Sequence, residues 1–147
     1  MKELTQEMSF LMNLWTINTV TSKRIDAGLG SIHGIGFTEY MSLYHLSNAH
    51  NKTMRRIDLA QKIGVTASGI TRLLSPMEKI GLVEKEVNER DARVSLVKLS
   101  NAGETILNDA TTSFEASSKS ILQGVKKTSL ANSLDVFQSM NNELFIE

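Results

Sequence analysis

The sequence predicts a mainly α fold with a small β-hairpin, in which a helix–turn–helix–hairpin unit is flanked by helices at both ends. Three observations predict it. Residues 66–80, TASGITRLLSPMEKI, put apolar side chains at helical spacing on one side and small, hydroxylated and basic ones on the other. A short helical stretch ending at Gly64 comes immediately before. Two short Val/Leu-rich runs separated by NERDAR come immediately after, which is a hairpin pattern. With 147 residues the chain is expected to form one domain, residues 1–147, large enough to bury a core.

The totals exclude several function classes. There is no cysteine, so disulfides, thiolate zinc sites and cysteine redox sensing are ruled out. The opening MKELTQEMSF lacks the basic-then-apolar pattern of a secretory signal, and no apolar run reaches membrane-spanning length, so a cytoplasmic location without membrane association is expected. Net charge is zero, but its distribution is uneven. Residues 52–98 carry ten Lys/Arg against six Asp/Glu, net +4, while residues 1–51 and 99–147 are net −1 and −3. A polyanion needs cations where it docks, not a basic average.

In chain order, residues 5–27 read as an unbroken helix with Leu4, Met8, Leu11 and Trp15 on one stripe and Leu14 and Ile17 on its flank. The segment GLGSIHGIG, residues 28–36, has four glycines and is expected to be a loop or a loosely formed turn. Thr38 is expected to cap the next helix, which turns Met41, Leu43, Tyr44 and Leu46 inward. Residues 48–53 read as a polar connection. Residues 55–63 follow as a short helix with Leu59, Ala60 and Ile63 inward, closed by a left-handed Gly64 and plugged by Val65. Thr66 caps the central helix. Within it Ile70, Leu73, Leu74 and Met77 face inward, and Ser68, Arg72, Ser75 and Lys79 face outward with Thr71 beside them. Pro76 is expected to kink or loosen the last turn before Gly81 ends it.

Strands are expected over 82–87 and 94–99, joined by residues 88–93. Arg90 and Arg93 stand in that connection, and Asp91 is spaced either to hold Arg93 or to fix the turn. Arginines at a hairpin tip beside such a helix suit the strongly negative minor groove of duplex DNA. Ser100 caps a helix over 101–125 with Glu104 in its first turn, and a last helix starts at Thr128 or Ser129. The terminal apolar stripes are buried either against a second copy or against their own protomer. The order helix–turn–helix–hairpin is that of a winged helix that reads duplex DNA.

The continuous stretch 59–107 resembles the MarR family of transcriptional regulators. The matching elements are Leu59-Ala60 with Ile63-Gly64-Val65, the run Thr71 to Leu74, the exit Glu78-Lys79-Ile80-Gly81-Leu82-Val83, Asp91 with Arg93, and Leu99-Ser100 with Gly103. The resemblance implies a winged helix-turn-helix, residues 37–100, flanked by N- and C-terminal dimerisation helices in residues 1–36 and 101–147. It further implies a sequence-specific DNA-binding regulator, a homodimeric repressor on a pseudo-palindromic operator of double-stranded DNA, responsive to a small aromatic or organic-acid effector. The candidate DNA-contacting residues are Thr66, Ser68, Thr71, Arg72, Ser75, Arg90 and Arg93, with Asp91 positioning the wing. Trp15, Asn18, His33, Phe37, Tyr40 and Tyr44 are the candidate effector-pocket residues, or else ordinary core. The sequence departs from the family pattern at Pro76, at Arg55 where a capping hydroxyl is usual, and in its glycine-rich 28–36 segment. The alternative is a winged-helix protein-interaction module without DNA binding. His33, His45 and His50 have no metal-ligand spacing, so neither metal nor cofactor is expected. No nucleophile–base constellation or phosphate-binding loop supports an enzyme.

Overall fold

A computed structural model describes residues 2–145. The chain falls into two compact units, divided between Glu115 and Ala116. The first begins with α1 (Gln6–His33), capped by the Thr5 hydroxyl, which accepts from the Met8 N–H at 3.2 Å. The helix passes straight through Gly28 and Gly30 and ends only at Gly34, at φ 69°. This corrects the expectation for residues 28–33 and leaves only 34–36 as the connection. Each helical glycine costs about 1 kcal/mol, but Ile25 and Leu29 are buried in the same turns. Burying one such side chain contributes roughly 1.5–3 kcal/mol, and burial wins.

Helix α2 (Phe37–Asn48) starts at Gly36, not at Thr38. Two carboxylates replace the expected hydroxyl cap. Asp26 on α1 accepts from the Phe37 N–H at 2.8 Å, and Glu39 accepts from the Gly36 N–H at 2.7 Å. The buried stripe of α2 is Tyr40, Leu43 and Leu46 with Ser42, and Tyr44 lies at its margin, 46% exposed rather than inward. The polar connection is also more ordered than expected. A 3₁₀ turn (His50–Lys52) leads into β1 (Thr53–Arg55).

Helix α3 (Arg56–Ile63) ends at Gly64, φ 72°, with the Val65 N–H reaching back to Ala60 O at 3.0 Å. Helix α4 (Ala67–Lys79) follows with Thr66 as N-cap. Pro76 lies within α4 and does not end it. Gly81, at φ 80°, turns the chain into β2 (Val83–Val87), which pairs with β3 (Ser95–Leu99). The sheet has three antiparallel strands in the order β1-β3-β2, with Met54 and Lys85 both opposite Val97. The expected hairpin is therefore two-thirds of a sheet. Leu43, Leu46, Leu59, Leu74, Met77, Val83 and Val97 form the core beneath it.

Helix α5 (Asn101–Ile121) begins at Ser100, whose hydroxyl accepts from the Gly103 N–H and donates to the Gly81 carbonyl. In the second unit α6 (Lys127–Leu144) starts a residue before the expected Thr128 and contains no fully buried residue. Among the described residues no helix is long and apolar enough to cross a membrane.

Candidate nucleic-acid interface

Burial of Ile70, Leu74 and Met77 fixes the rotation of α4, so Ser68, Thr71, Arg72 and Ser75 are all exposed on its outer side. The Thr66 hydroxyl accepts from the Gly69 N–H at 3.0 Å and lies 3.1 Å from Ser68 Oγ. Thr66 thus holds the first turn and orients Ser68. Thr71 donates to the Ala67 carbonyl at 3.3 Å, leaving its oxygen outward as an acceptor. Arg72 makes no ion pair among the described residues.

The wing tip is built from two Asx turns. Asn88 Oδ1 accepts from the Arg90 and Asp91 N–H groups at 2.9 and 3.3 Å. Asp91 Oδ1 accepts from the Arg93 N–H at 3.0 Å and from Arg93 Nε at 3.1 Å. The two options open for Asp91 are both realised: it fixes the turn and holds the arginine. These hydrogen bonds, the Arg93 side chain first and its backbone second, lower the Asp91 pKa. Arg93 itself is 91% exposed at its side chain. Asn88 carries half of this turn and was missed. An Asn two residues before Arg90 in a polar connection is the available signal.

The arginines on α3 differ. Arg56 is turned toward Glu78 on α4 at 2.8 Å, with side chains 13% and 18% exposed, and locks the two helices together. Arg55 forks onto Asp58 through Nε and Nη2, both at 2.7 Å. A cleft of about 450 Å³ between α3, α4 and the wing base is lined by Arg55, Thr71 and Arg93 among others.

The six candidate pocket residues are placed differently. Phe37 and Tyr40 pack on Phe114, with ring centroids 5.3 and 5.2 Å away. Thr111 donates to the Leu107 carbonyl, so the Tyr40 hydroxyl donates to Thr111 Oγ1 at 3.1 Å. His33 Nε2 lies 2.7 Å from Ser113 Oγ. These three side chains join α1 and α2 to α5. Trp15 is 71% exposed on α1, Asn18 Oδ1 accepts from the Ser22 hydroxyl, and Tyr44 stacks edge-on against His45. Trp15 and Phe37 line different cavities, of about 360 and 220 Å³. No cluster of three metal-binding side chains occurs among the described residues.

Comparison with known proteins follows the same lines. The MarR family model matches residues 37–95, from the start of α2 into β3. YdgJ of Bacillus subtilis strain 168, an uncharacterised HTH-type transcriptional regulator, is 24% identical over 139 residues, spanning 95% of this chain and 81% of that one. Sco3205 of Streptomyces coelicolor, a MarR family transcriptional regulator solved in complex with DNA, is 19% identical. It superposes with a TM-score of 0.84 over 100% of this chain and 93% of that one. NadR, solved in complex with 4-hydroxyphenylacetate, is 18% identical with a TM-score of 0.77 over 95% of this chain and 97% of that one. Residues 37–95, across the helix-turn-helix and into β3, thus match the MarR family, and the chain shares the fold of solved MarR family regulators along its full length.

Proposed function

We propose that the protein is a homodimeric, sequence-specific DNA-binding transcriptional regulator, acting in the cytoplasm as a repressor and without catalytic activity. One observation carries this: the exposed Ser68–Thr71–Arg72 face of α4 beside a wing arginine already held by Asp91. Hydroxyls and a guanidinium without a competing carboxylate on that face can meet base edges and phosphates. Arg93, carried on a narrow turn, suits the adjacent minor groove. Thr66, Ser75 and Arg90 supply neighbouring polar contacts. Two copies related by a two-fold axis then require a pseudo-palindromic operator with half-sites about one helical turn apart. The complexes of Sco3205 with DNA and of NadR with 4-hydroxyphenylacetate support both halves of this reading, a DNA site and a small aromatic-acid effector. The effector would act near His33, Phe37 and Tyr40, by favouring one spacing of the two DNA-binding modules.

The test is a titration of duplexes selected from a randomised pool, at two salt concentrations. Affinity should fall steeply with salt, and Arg72→Ala should lose about 1–3 kcal/mol while relaxing base preference. Binding that ignores salt, or no duplex recovered, would reject the proposal in favour of a protein-interaction module.

A further inference from the structure

Arg55 stands where α3 would be best served by a hydroxyl or a short carboxamide. It is the N-cap residue, with extended backbone (φ −65°, ψ 141°), and no side chain caps the helix there. Ser, Thr, Asp or Asn at that position would bond an N-terminal amide. An arginine cannot, so the position is not chosen for helix stability.

Its guanidinium is instead fixed outside the helix. Asp58, in the first turn of α3, accepts from Nε and Nη2. At the wing, Asp91 engages the same Nε and Nη2 groups of Arg93. Arg55 and Arg93, the arginines of the two forks, line one cleft, which also includes Ala67 and Thr71 from the N-terminal half of α4. Ile57 and Val94 add apolar surface to it. Arg56, the third arginine of the lining, is committed to Glu78 and largely covered. Arg55 keeps its side chain 56% exposed. Arginines lining a cleft together with apolar side chains match an alternating chain of phosphates and deoxyriboses. Arginine presented as an oriented fork binds phosphate oxygens in a defined geometry.

We propose that this cleft seats one sugar–phosphate strand of the duplex, and that Arg55, held by Asp58, is a backbone-phosphate contact in the cleft it shares with Arg93. This rests on the DNA-binding function proposed above. It adds a contact that positions the protein on DNA without reading sequence.

The test compares wild type, Arg55→Thr and Arg55→Gln on duplexes selected against the wild-type protein and on scrambled duplexes of the same length. Arg55→Thr supplies the missing cap, so its melting temperature holds or rises. Both variants should bind selected and scrambled duplexes more weakly by the same factor, roughly tenfold. The slope of log affinity against log salt should become shallower by about 0.9, one phosphate contact. Stability and affinity moving in opposite directions in Arg55→Thr separates a lost contact from a damaged fold. Unchanged affinity and slope, with Arg72→Ala still impaired, overturn the phosphate contact and leave the regulator standing. Loss confined to the selected sequence overturns it too, because Arg55 would then read a base. Failure of the wild type to bind any duplex removes the function and this contact together.

Discussion

His45 sits in the last turn of α2, where the helix dipole favours a charged imidazole. Its pKa is nevertheless lowered, first by burial and second by the Lys62 charge. The unfolded chain therefore takes up the proton more readily than the native one. Stability is unaffected well above the ordinary histidine pKa of about 6.5 and falls as pH drops through and below it. Urea unfolding followed from neutral to mildly acidic pH should show this decline, and His45→Gln should flatten it. Asp91 behaves oppositely, since its pKa is depressed by Arg93. The wing fork is intact above the ordinary aspartate range and opens only on strong acidification, so neutral-range pH effects do not come from it. Gly103 is fixed by space rather than by backbone angle. A Cβ there would stand 2.1 Å from the Leu82 carbonyl oxygen and 2.8 Å from Leu99 Cδ1. The carbonyl cannot swing aside as a side-chain end could. Gly103→Ala should cost about 1–3 kcal/mol, read as a lowered melting temperature.

Among the elements, α4 carries an internal contradiction. Pro76 removes an amide that would otherwise bond the Arg72 carbonyl, yet the helix continues to Lys79 because Met77 and Leu74 are buried. Pro76→Ala should raise stability by up to about 3 kcal/mol, measured by denaturant unfolding, with duplex affinity near wild type because Ser68, Thr71 and Arg72, the main contacts proposed for DNA, lie at least four residues ahead of it. The cap of α4, the turns at Gly64 and Gly81, both wing strands and the Asp91–Arg93 pair were legible in the sequence because each depends on residues close together in the chain. What escaped was decided at a distance. Strand β1 is three residues long, too short for alternation to show, and exists because Met54 meets Val97. The start of α2 is set by Asp26, eleven residues upstream of the amide it accepts from. The passage of α1 through Gly28 and Gly30 follows from burial of Leu29, which no propensity encodes. The outward face of α4 could be read, whereas the pairing of Arg55 with Asp58 and its share in the Arg93 cleft needed the folded chain.

For the whole molecule, zero net charge conceals a basic middle third, and four of that segment's six acids pair with cations of the same segment. Exposed apolar residues concentrate elsewhere. Met8, Leu11 and Trp15 stand 46–71% exposed along α1, with Leu4 just before it 54% exposed, and on α6 Leu134 and Leu144 stand 59% and 70% exposed. Such stripes are what a two-fold interface would cover. Replacing Leu11 and Trp15 by Glu should yield a monomer by sedimentation and reduce duplex affinity, because a single module engages one half-site.

The long first helix has one more consequence. Along it Asn13, Thr16, Thr19 and Thr21 each donate a side-chain hydrogen bond to the carbonyl four residues earlier. Residues of this kind compete with the backbone and form helix weakly, and its first buried residue is Ile25. About the first five turns therefore have little intrinsic hold on the helical state. Their amide hydrogens should exchange with deuterium quickly in dilute protein and slowly in concentrated protein, while those of α3 and α4 keep one rate throughout. The opening two-thirds of α1 would then serve as an internal gauge of how much of the protein is assembled.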